Sequence, residues 1–187
     1  MKKEEFKVSP YEVEGEIDYE KLIREFGVSK IDDKLLERIK KLTKSDIHFM
    51  LRRKVFFAHR DINWLLDEYE KGNKFFLYTG RAPSGKIHLG HLLPWIFCKW
   101  LQDKFNVELW FQFPDEEKFL FKSDLTFEKA QEYLNDNLLD VIALGFDPKK
   151  THFLVDTKHA NLMYKEAVKV AKKITFSTIK ASFGFTD

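Results

Sequence analysis

From Phe75 onward the chain alternates between short apolar runs and longer amphipathic segments, and this alternation constrains the fold more than any other feature. The predicted strands cover residues 75–79, 107–113 and 152–155, and the predicted helices cover residues 88–104, 127–144 and 160–175, with further helical character to residue 183. Strands joined by helical crossovers of this length pair in parallel. The sequence therefore predicts an α/β fold, a Rossmann-like parallel sheet covered by helices.

Residues 1–74 precede this pattern, and we expect them to form a mostly helical appendage. Helices are predicted over residues 18–26, 32–43 and 61–70. Asp18 caps the first of these helices, Gly27 ends it, and Gly72 ends the third. Residues 48–57 lie between the second and third helices and have no clear assignment.

The composition is typical of a folded globular protein, since 44% of the 187 residues are hydrophobic and 19 are Phe. A net charge of +2 does not indicate a nucleic-acid partner, although a local basic patch could bind one. The single cysteine, Cys98, excludes a disulfide framework and a thiolate-rich metal site. The N-terminus resembles no signal peptide, and no run approaches the roughly 18 apolar residues of a membrane span. We therefore expect a soluble cytoplasmic protein with no membrane partner.

A loop rich in glycine follows the first predicted strand, with the sequence Gly80-Arg-Ala-Pro-Ser-Gly-Lys-Ile-His-Leu-Gly-His91. Ligands of parallel sheets bind at the carboxyl ends of the strands, where this loop lies. Residues 113–118 follow the second strand at the same edge of the sheet. We therefore expect both segments to face one pocket, with the phosphates of a nucleotide against the N-terminus of the following helix.

One interpretation of the loop is a P-loop, because Gly80 to Lys86 have the pattern Gly-x-x-x-x-Gly-Lys. A P-loop holds phosphates with its backbone and its lysine, and the Ser or Thr that follows binds Mg²⁺. Ile87 occupies that position here and cannot coordinate a metal. A P-loop-like NTPase is therefore an alternative that lacks one ligand.

A second interpretation rests on His88 and His91, whose spacing places both imidazoles on one face of the first helical turn. The helix N-terminus attracts phosphate, and two imidazoles can donate hydrogen bonds to α-phosphate oxygens as charge develops on them. Gly90 would allow adenosine to lie directly on the backbone. Two such histidines could also bind zinc or be incidental surface residues. However, no thiolate or third histidine is nearby in the sequence.

The loop and several further segments resemble one enzyme family. Residues 83–91, Pro-Ser-Gly-Lys-Ile-His-Leu-Gly-His, are similar to the signature of class I aminoacyl-tRNA synthetases in the tryptophanyl/tyrosyl subgroup. The chain resembles the archaeal and eukaryotic tryptophanyl-tRNA synthetases more specifically in Phe-Leu-Tyr-Thr-Gly-Arg at 76–81, Lys-Trp-Leu-Gln at 99–102, Asp-Glu-Glu-Lys at 115–118, Gly-Phe-Asp at 145–147 and Phe-Gly-Phe-Thr-Asp at 183–187. The resemblance keeps this order from about Val8 to the last residue.

The resemblance implies which residues bind the amino acid. Tyr78 and Gln112 match the family residues that hydrogen-bond the indole N–H of tryptophan, and Glu117 matches the carboxylate that holds its α-ammonium group. An apolar slot with polar groups for one donor would reject phenylalanine, which leaves those groups unpaired. Judged by the residues alone, Tyr78 could instead be a core residue and Glu117 part of a solvated turn.

The resemblance also implies a set of ATP-binding residues, which are Arg81, His88, Gly90, His91 and Lys118. The catalytic residues among them would be the two histidines and Lys118, and no residue is expected to bind a metal tightly. Composition alone places Lys118 in a charge-rich turn at residues 115–118, which would ordinarily be solvated surface.

By resemblance, the chain is expected to be an N-terminal portion of an enzyme that ligates tryptophan to its tRNA. Residues 75–187 would then be a partial Rossmann-like catalytic domain that includes the start of the connective insertion. The intact enzyme would use ATP with Mg²⁺ to form tryptophanyl-adenylate, would transfer tryptophan to tRNA and would be a homodimer. This portion alone would be inactive or very weak. The alternatives are a tyrosyl-tRNA synthetase, the P-loop-like NTPase and a non-catalytic fragment that acts by binding.

Overall fold

The computed structural model describes residues 7–8, 13–14, 20, 23 and 27–183. By their contacts these residues group into two units. The larger unit contains residues 31–57 and 61–160, and the smaller contains the described residues within 1–30, 58–60 and 161–187.

The smaller unit contains two short antiparallel strand pairs. Strand β1 (Lys7–Val8) pairs with β2 (Val13–Glu14), and β3 (Ser29–Lys30) pairs with β4 (Ala58–His59). An exposed ion pair joins Lys30 to Glu20, with 3.1 Å between Nζ and Oε1. Exposed ion pairs contribute little to stability, so the backbone pairing is the firmer feature of this unit.

A parallel sheet of three strands forms the centre of the larger unit. Its strands are β5 (Phe76–Gly80), β6 (Glu108–Phe113) and β7 (Thr151–Val155), in the order β5-β6-β7. The register places Gly80 opposite Gln112, and Gln112 opposite Leu154. The predicted α/β fold and its parallel sheet are confirmed.

Three helices precede the sheet in the chain and share a core with it. They are α1 (Asp33–Thr43), α2 (Phe49–Arg52) and α3 (Ile62–Glu70). Their buried apolar side chains form one cluster with two residues near β6, and the cluster contains Leu35, Ile39, Leu51, Leu66, Phe105 and Val107. Helices α1 and α3 were predicted, and α2 occupies part of the segment that had no assignment. Because short helices must bury their apolar faces against another element, the contacts do not divide at residue 75.

Five helices alternate with the strands of the sheet or follow them. They are α4 (Leu89–Phe105) after β5, α5 (Asp115–Phe121) and α6 (Phe127–Ala143) after β6, and α7 (Asp156–Ala171) and α8 (Phe176–Phe183) after β7. Leu109, Phe111 and Phe113 of β6 are 0% exposed. They pack in a core with buried residues of α4 and α6, among them Trp95, Leu134 and Val141. Since side chains alternate along a strand, Trp110 and Gln112 lie on the other face of the sheet.

The prediction of a charged turn at residues 115–118 was wrong, because these residues begin helix α5. Three acidic residues occupy the first turn of α5. Carboxylates there are stabilised by the partial positive charge of the helix N-terminus. These residues are therefore helical rather than a turn, and the first of them, Asp115, is buried.

Helix α7 begins directly after β7, at Asp156, rather than at the predicted residue 160. Its first turn is held by Asp115, whose carboxylate accepts hydrogen bonds from the backbone N–H and the hydroxyl group of Thr157. This cap comes from a residue 42 positions away, so no local pattern could show it. The helix predicted over residues 18–26 lies mostly outside the described residues. Within that range only Glu20 and Ile23 are described, and both are helical.

Within the described part of the chain, none of the helices combines the length and the apolar composition that a membrane span requires.

Asp32 caps α1, and its loss should weaken the fold. Its carboxylate oxygen accepts a hydrogen bond from the backbone N–H of Leu35 at 2.8 Å. We expect Asp32→Ala to lower the free energy of unfolding by about 1 kcal/mol and Asp32→Asn to change it by a few tenths, because Asn caps helices as well as Asp does. Urea unfolding of both variants measures the difference. An equal loss in both would show that the cap does not act as described.

Candidate active site

The candidate site lies where the three parallel strands end. Strand β5 ends at Gly80, β6 at Phe113 and β7 at Val155, and parallel strands place these ends at one edge of the sheet. The glycine-rich loop, helix α5 and helix α7 begin at this edge. All residues predicted for the site belong to β5, to β6 or to the segments that directly follow them.

A chain of hydrogen bonds crosses the sheet near this edge. The Tyr78 hydroxyl group donates to Oε1 of Gln112, and Nε2 of Gln112 donates to the Asp156 carboxylate at 2.7 and 2.8 Å. The Tyr78 side chain is mostly exposed, whereas Asp156 is 8% exposed. Tyr78 is therefore not a core residue, and its hydroxyl group is fixed by Gln112.

Asp156 was not among the predicted site residues. The sequence held one signal for it, an acidic residue directly after the third apolar run, at the edge where ligands bind. Burial raises the pKa of the Asp156 carboxyl group, while the hydrogen bond from Gln112 opposes that shift. Burial also raises the pKa of Glu116, with the nearby carboxylates of Asp156 and Asp115 as further causes.

The glycine-rich loop is held against the sheet and α6 by backbone contacts. The backbone N–H of Arg81 donates to the carbonyl oxygen of Gln112 at 2.8 Å, and the Asn137 side chain donates to the carbonyl oxygen of Gly85 at 3.0 Å. Asn137 is 0% exposed, so α6 fixes the turn of the loop from inside the core. Nε of Arg81 is buried and has no hydrogen-bond partner among the described residues, which leaves this donor for an anion.

His88 and His91 are tied to the first turn of α4 through one nitrogen each. The backbone N–H of Gly90 donates to Nδ1 of His88, and that of His88 donates to Nδ1 of His91, both at 3.2 Å. An Nδ1 that accepts a hydrogen bond carries no proton in the neutral ring, so the proton is on Nε2. The two ring centroids are 3.7 Å apart. The pair can therefore present two N–H donors side by side at a helix N-terminus.

The surroundings of the pair favour a neutral ring at His91 and a small residue at position 90. Burial, the positive charge of Arg81 and the neighbouring His88 lower the pKa of His91. A Cβ atom at Gly90 would lie 3.1 Å from Cε1 of His88, which is closer than ordinary van der Waals contact. Gly90 thus keeps the approach to the rings and the backbone open.

Glu117 and Lys118 form an ion pair with each other on α5. Nζ of Lys118 lies 2.8 Å from Oε1 of Glu117, and both side chains are partly exposed. In the described part of the chain, no hydrogen bond connects this pair to Tyr78 or Gln112. The ion pair uses one oxygen of Glu117 and one donor of Lys118, so a charged substrate group would compete with it or share these side chains. The roles predicted for them therefore remain predictions.

The sequence of the chain matches the family model described as "tRNA synthetases class I (W and Y)" over residues 70–179. It is 55% identical over 184 residues to the tryptophan–tRNA ligase of Pyrococcus furiosus, a match that covers 98% of this chain and 48% of the relative. It is 51% identical over 181 residues to that of Sulfolobus acidocaldarius, covering 97% and 48%. The chain spans about half the length of the curated relatives it matches.

Solved structures give the same result. The crystal structure of Plasmodium falciparum tryptophanyl-tRNA synthetase is similar with a TM-score of 0.87 and 43% sequence identity, over 91% of this chain and 47% of the other. The tryptophan-bound enzyme of Encephalitozoon cuniculi is similar with a TM-score of 0.85 and 40% identity, over 91% and 48%.

Gly80 is a position where a side chain would disturb the site. A Cβ atom there would lie 2.6 Å from the carbonyl oxygen of Gln112, which no real contact allows. We expect Gly80→Ala to lower the free energy of unfolding by about 1–3 kcal/mol, the usual range for forced overpacking. Gly85→Ala is the matched control in the same loop, because nothing lies within 4 Å of its added Cβ. Similar losses in both variants, measured by thermal unfolding, would contradict this explanation.

The hydrogen bonds at the start of α4 predict the tautomers of its histidines. In nitrogen-detected NMR spectra, His88 and His91 should both carry the proton on Nε2 at neutral pH. The lowered pKa of His91 should keep its ring neutral to a lower pH than in the unfolded chain. In the window between the two pKa values the unfolded chain binds the extra proton, so acidification there should lower stability. A His91 that titrates at or above the ordinary histidine value would refute this.

Proposed function

The chain belongs to the class I tRNA synthetases for tryptophan and tyrosine, and from that membership we propose that it carries the amino-acid and ATP sites of a tryptophan–tRNA ligase. The observation that carries the proposal is the pairing of Tyr78 with Gln112 at the same sheet edge as His88 and His91. The Tyr78–Gln112 pair suits the ring of an aromatic amino acid, and the His88–His91 pair suits phosphate. The reaction needs both substrates at one edge.

Tyr78 and Gln112 would recognise the indole ring of tryptophan. Both side chains carry an oxygen that can accept a hydrogen bond from the ring N–H. Phenylalanine would leave these groups unpaired, and a site built on hydrogen bonds rejects such an analogue strongly. Glu117 would hold the α-ammonium group of the amino acid in competition with, or beside, its ion pair with Lys118. A tyrosine substrate is the alternative, because the family includes enzymes for both amino acids.

His88 and His91 would act on ATP. The carboxylate of the amino acid attacks the α-phosphorus atom, a new acyl–phosphate bond forms, and the bond to pyrophosphate breaks. Negative charge builds on the α-phosphate oxygens in this step. Two Nε2–H donors at a helix N-terminus would stabilise that charge without any covalent protein intermediate. Arg81, with its unpaired buried Nε, and Lys118 would contribute positive charge.

A P-loop mechanism is less consistent with the same loop. Ile87 has no hydroxyl group for a metal, and the Lys86 side chain is exposed. Among the described residues, no group of three His, Cys, Asp or Glu side chains could hold a metal ion. The resemblance to the family implies that Mg²⁺ would arrive with ATP as part of the substrate.

The wider properties of the ligase are proposed from the family alone. They are transfer of tryptophan from the adenylate to tRNA, assembly as a homodimer and a cytoplasmic location. The chain spans about half the length of its relatives, so these properties concern the product of the complete reading frame.

Tryptophan-dependent exchange of pyrophosphate into ATP tests the proposal. The protein used is the product of the complete reading frame that contains this sequence. We expect His91→Ala to lower kcat/KM about 100-fold, the usual effect of removing one donor to a developing charge. Lys86→Ala should change it little, and circular dichroism should show both variants folded.

Other outcomes would contradict the proposal in different ways. Exchange driven by tyrosine and not by tryptophan would reassign the substrate. Exchange that survives His91→Ala but is abolished by Lys86→Ala would support a P-loop mechanism. The absence of exchange with either amino acid would leave only a binding function.

A further inference from the structure

Asp156 is not among the residues proposed to contact a substrate, yet it hydrogen-bonds Gln112 and is the last member of the hydrogen-bond chain that begins at Tyr78. We propose that Asp156 is a positioning residue that fixes the direction of the Gln112 carboxamide, so that the pocket offers only acceptors to the ring N–H of the amino acid. The inference rests on the proposed function, because it concerns the same amino-acid site.

The two ends of a carboxamide are chemically opposite, and the direction in which the group points decides what it can recognise. Oε1 of Gln112 accepts hydrogen bonds, whereas Nε2 donates them. With Nε2 toward Asp156 after β7, Oε1 faces Tyr78 on β5. With the group reversed, an N–H donor would face the indole N–H, and two donors repel.

Asp156 removes the ambiguity because an ionised carboxylate can only accept. Nε2 of Gln112 lies 2.8 Å from Oδ1 and 2.7 Å from Oδ2 of Asp156, so both carboxylate oxygens accept hydrogen bonds from the same NH₂ group. If the amide were reversed, its oxygen would face two carboxylate oxygens at these distances. That arrangement is repulsive in a site where Asp156 is 8% exposed, since water screens such charges poorly there.

The direction of the amide also sets the role of Tyr78. Its hydroxyl group donates to Oε1 of Gln112, so the remaining lone pairs of the tyrosine oxygen can only accept. Oε1 itself has a second lone pair. Both oxygens thus become acceptors because of a carboxylate directly after the third strand, and the pocket favours a ring with an N–H donor.

Asp156 is itself held in place by its position. It is the first residue of α7, directly after β7. The next residue, Thr157, is fixed by two hydrogen bonds to the buried Asp115. The carboxylate therefore belongs to a rigid junction rather than to a mobile loop, which a positioning role requires.

The experiment compares tryptophan with its benzothiophene analogue, in which sulfur replaces the ring N–H. Pyrophosphate exchange is measured with the product of the complete reading frame, in wild type and in Asp156→Asn. Asparagine keeps the volume but can pair with either end of the Gln112 amide, so the direction is no longer fixed. We expect Asp156→Asn to lower kcat/KM for tryptophan about tenfold, because roughly one hydrogen bond is lost. For the analogue, which has no ring N–H, kcat/KM should change less than twofold.

Two further variants separate positioning from a structural effect. Thr157→Val removes the neighbouring hydroxyl contact to Asp115 and leaves Gln112 untouched, so it should preserve the preference for tryptophan over the analogue. In a Gln112→Met background, Asp156→Asn should cause no additional loss of that preference, because Asp156 acts through Gln112.

The side-chain amide signals of Gln112 provide a measurement that needs no substrate. In wild type, the Nε2 protons should exchange slowly with solvent, and Asp156→Asn should accelerate their exchange. A wild-type protein without tryptophan-dependent exchange would overturn the proposed function. A wild type that prefers tryptophan, together with an Asp156→Asn variant that keeps that preference and slow amide exchange, would overturn this inference alone.

Discussion

Burial of one face of β6 is the constraint on which the rest of the larger unit depends. Leu109, Phe111 and Phe113 are fully buried and alternate along the strand, so a shift of one residue would move all of them to the opposite face. The register between β5, β6 and β7 is therefore fixed by the core. That register places Gln112 on the other face, opposite Gly80 on one side and Leu154 on the other. The polar chemistry at the sheet edge follows from apolar packing beneath it.

The start of α4 shows how one residue can serve both structure and chemistry. A helix begins with backbone N–H groups that have no partner within the helix. His88 and His91 satisfy two N–H groups with their Nδ1 atoms, and this use leaves each Nε2 as a donor. The helix N-terminus and the two imidazoles thus act on the same region. A serine or aspartate cap would stabilise the helix equally well, but it would not leave a second donor on the same side chain.

Local patterns were sufficient to predict much of the fold. The apolar runs gave the three strands, and Asp32 followed by regularly spaced leucines gave α1. The glycine-rich loop and its histidines could be placed because they follow a strand directly. What the sequence could not show depends on partners far away in the chain. The start of α7 depends on a cap from Asp115, and Asp156 is part of the site only because it accepts hydrogen bonds from Gln112. Glu117 and Lys118 are adjacent in the sequence, but sequence spacing does not show which opposite charge a flexible side chain will pair with.

The hydrogen-bond chain from Tyr78 to Asp156 has a consequence for folding. Its two links join residues that are 34 and 44 positions apart, and a helical crossover lies within each interval. Closing such intervals costs chain entropy before any contact is gained, so parallel pairing of this kind forms slowly. A chain that has formed only its local helices would have the histidine pair but not the hydrogen-bond chain from Tyr78 to Asp156. Under the proposed function, the amino-acid site would therefore be complete only late in folding, and a ligand bound there would stabilise the whole sheet rather than one loop.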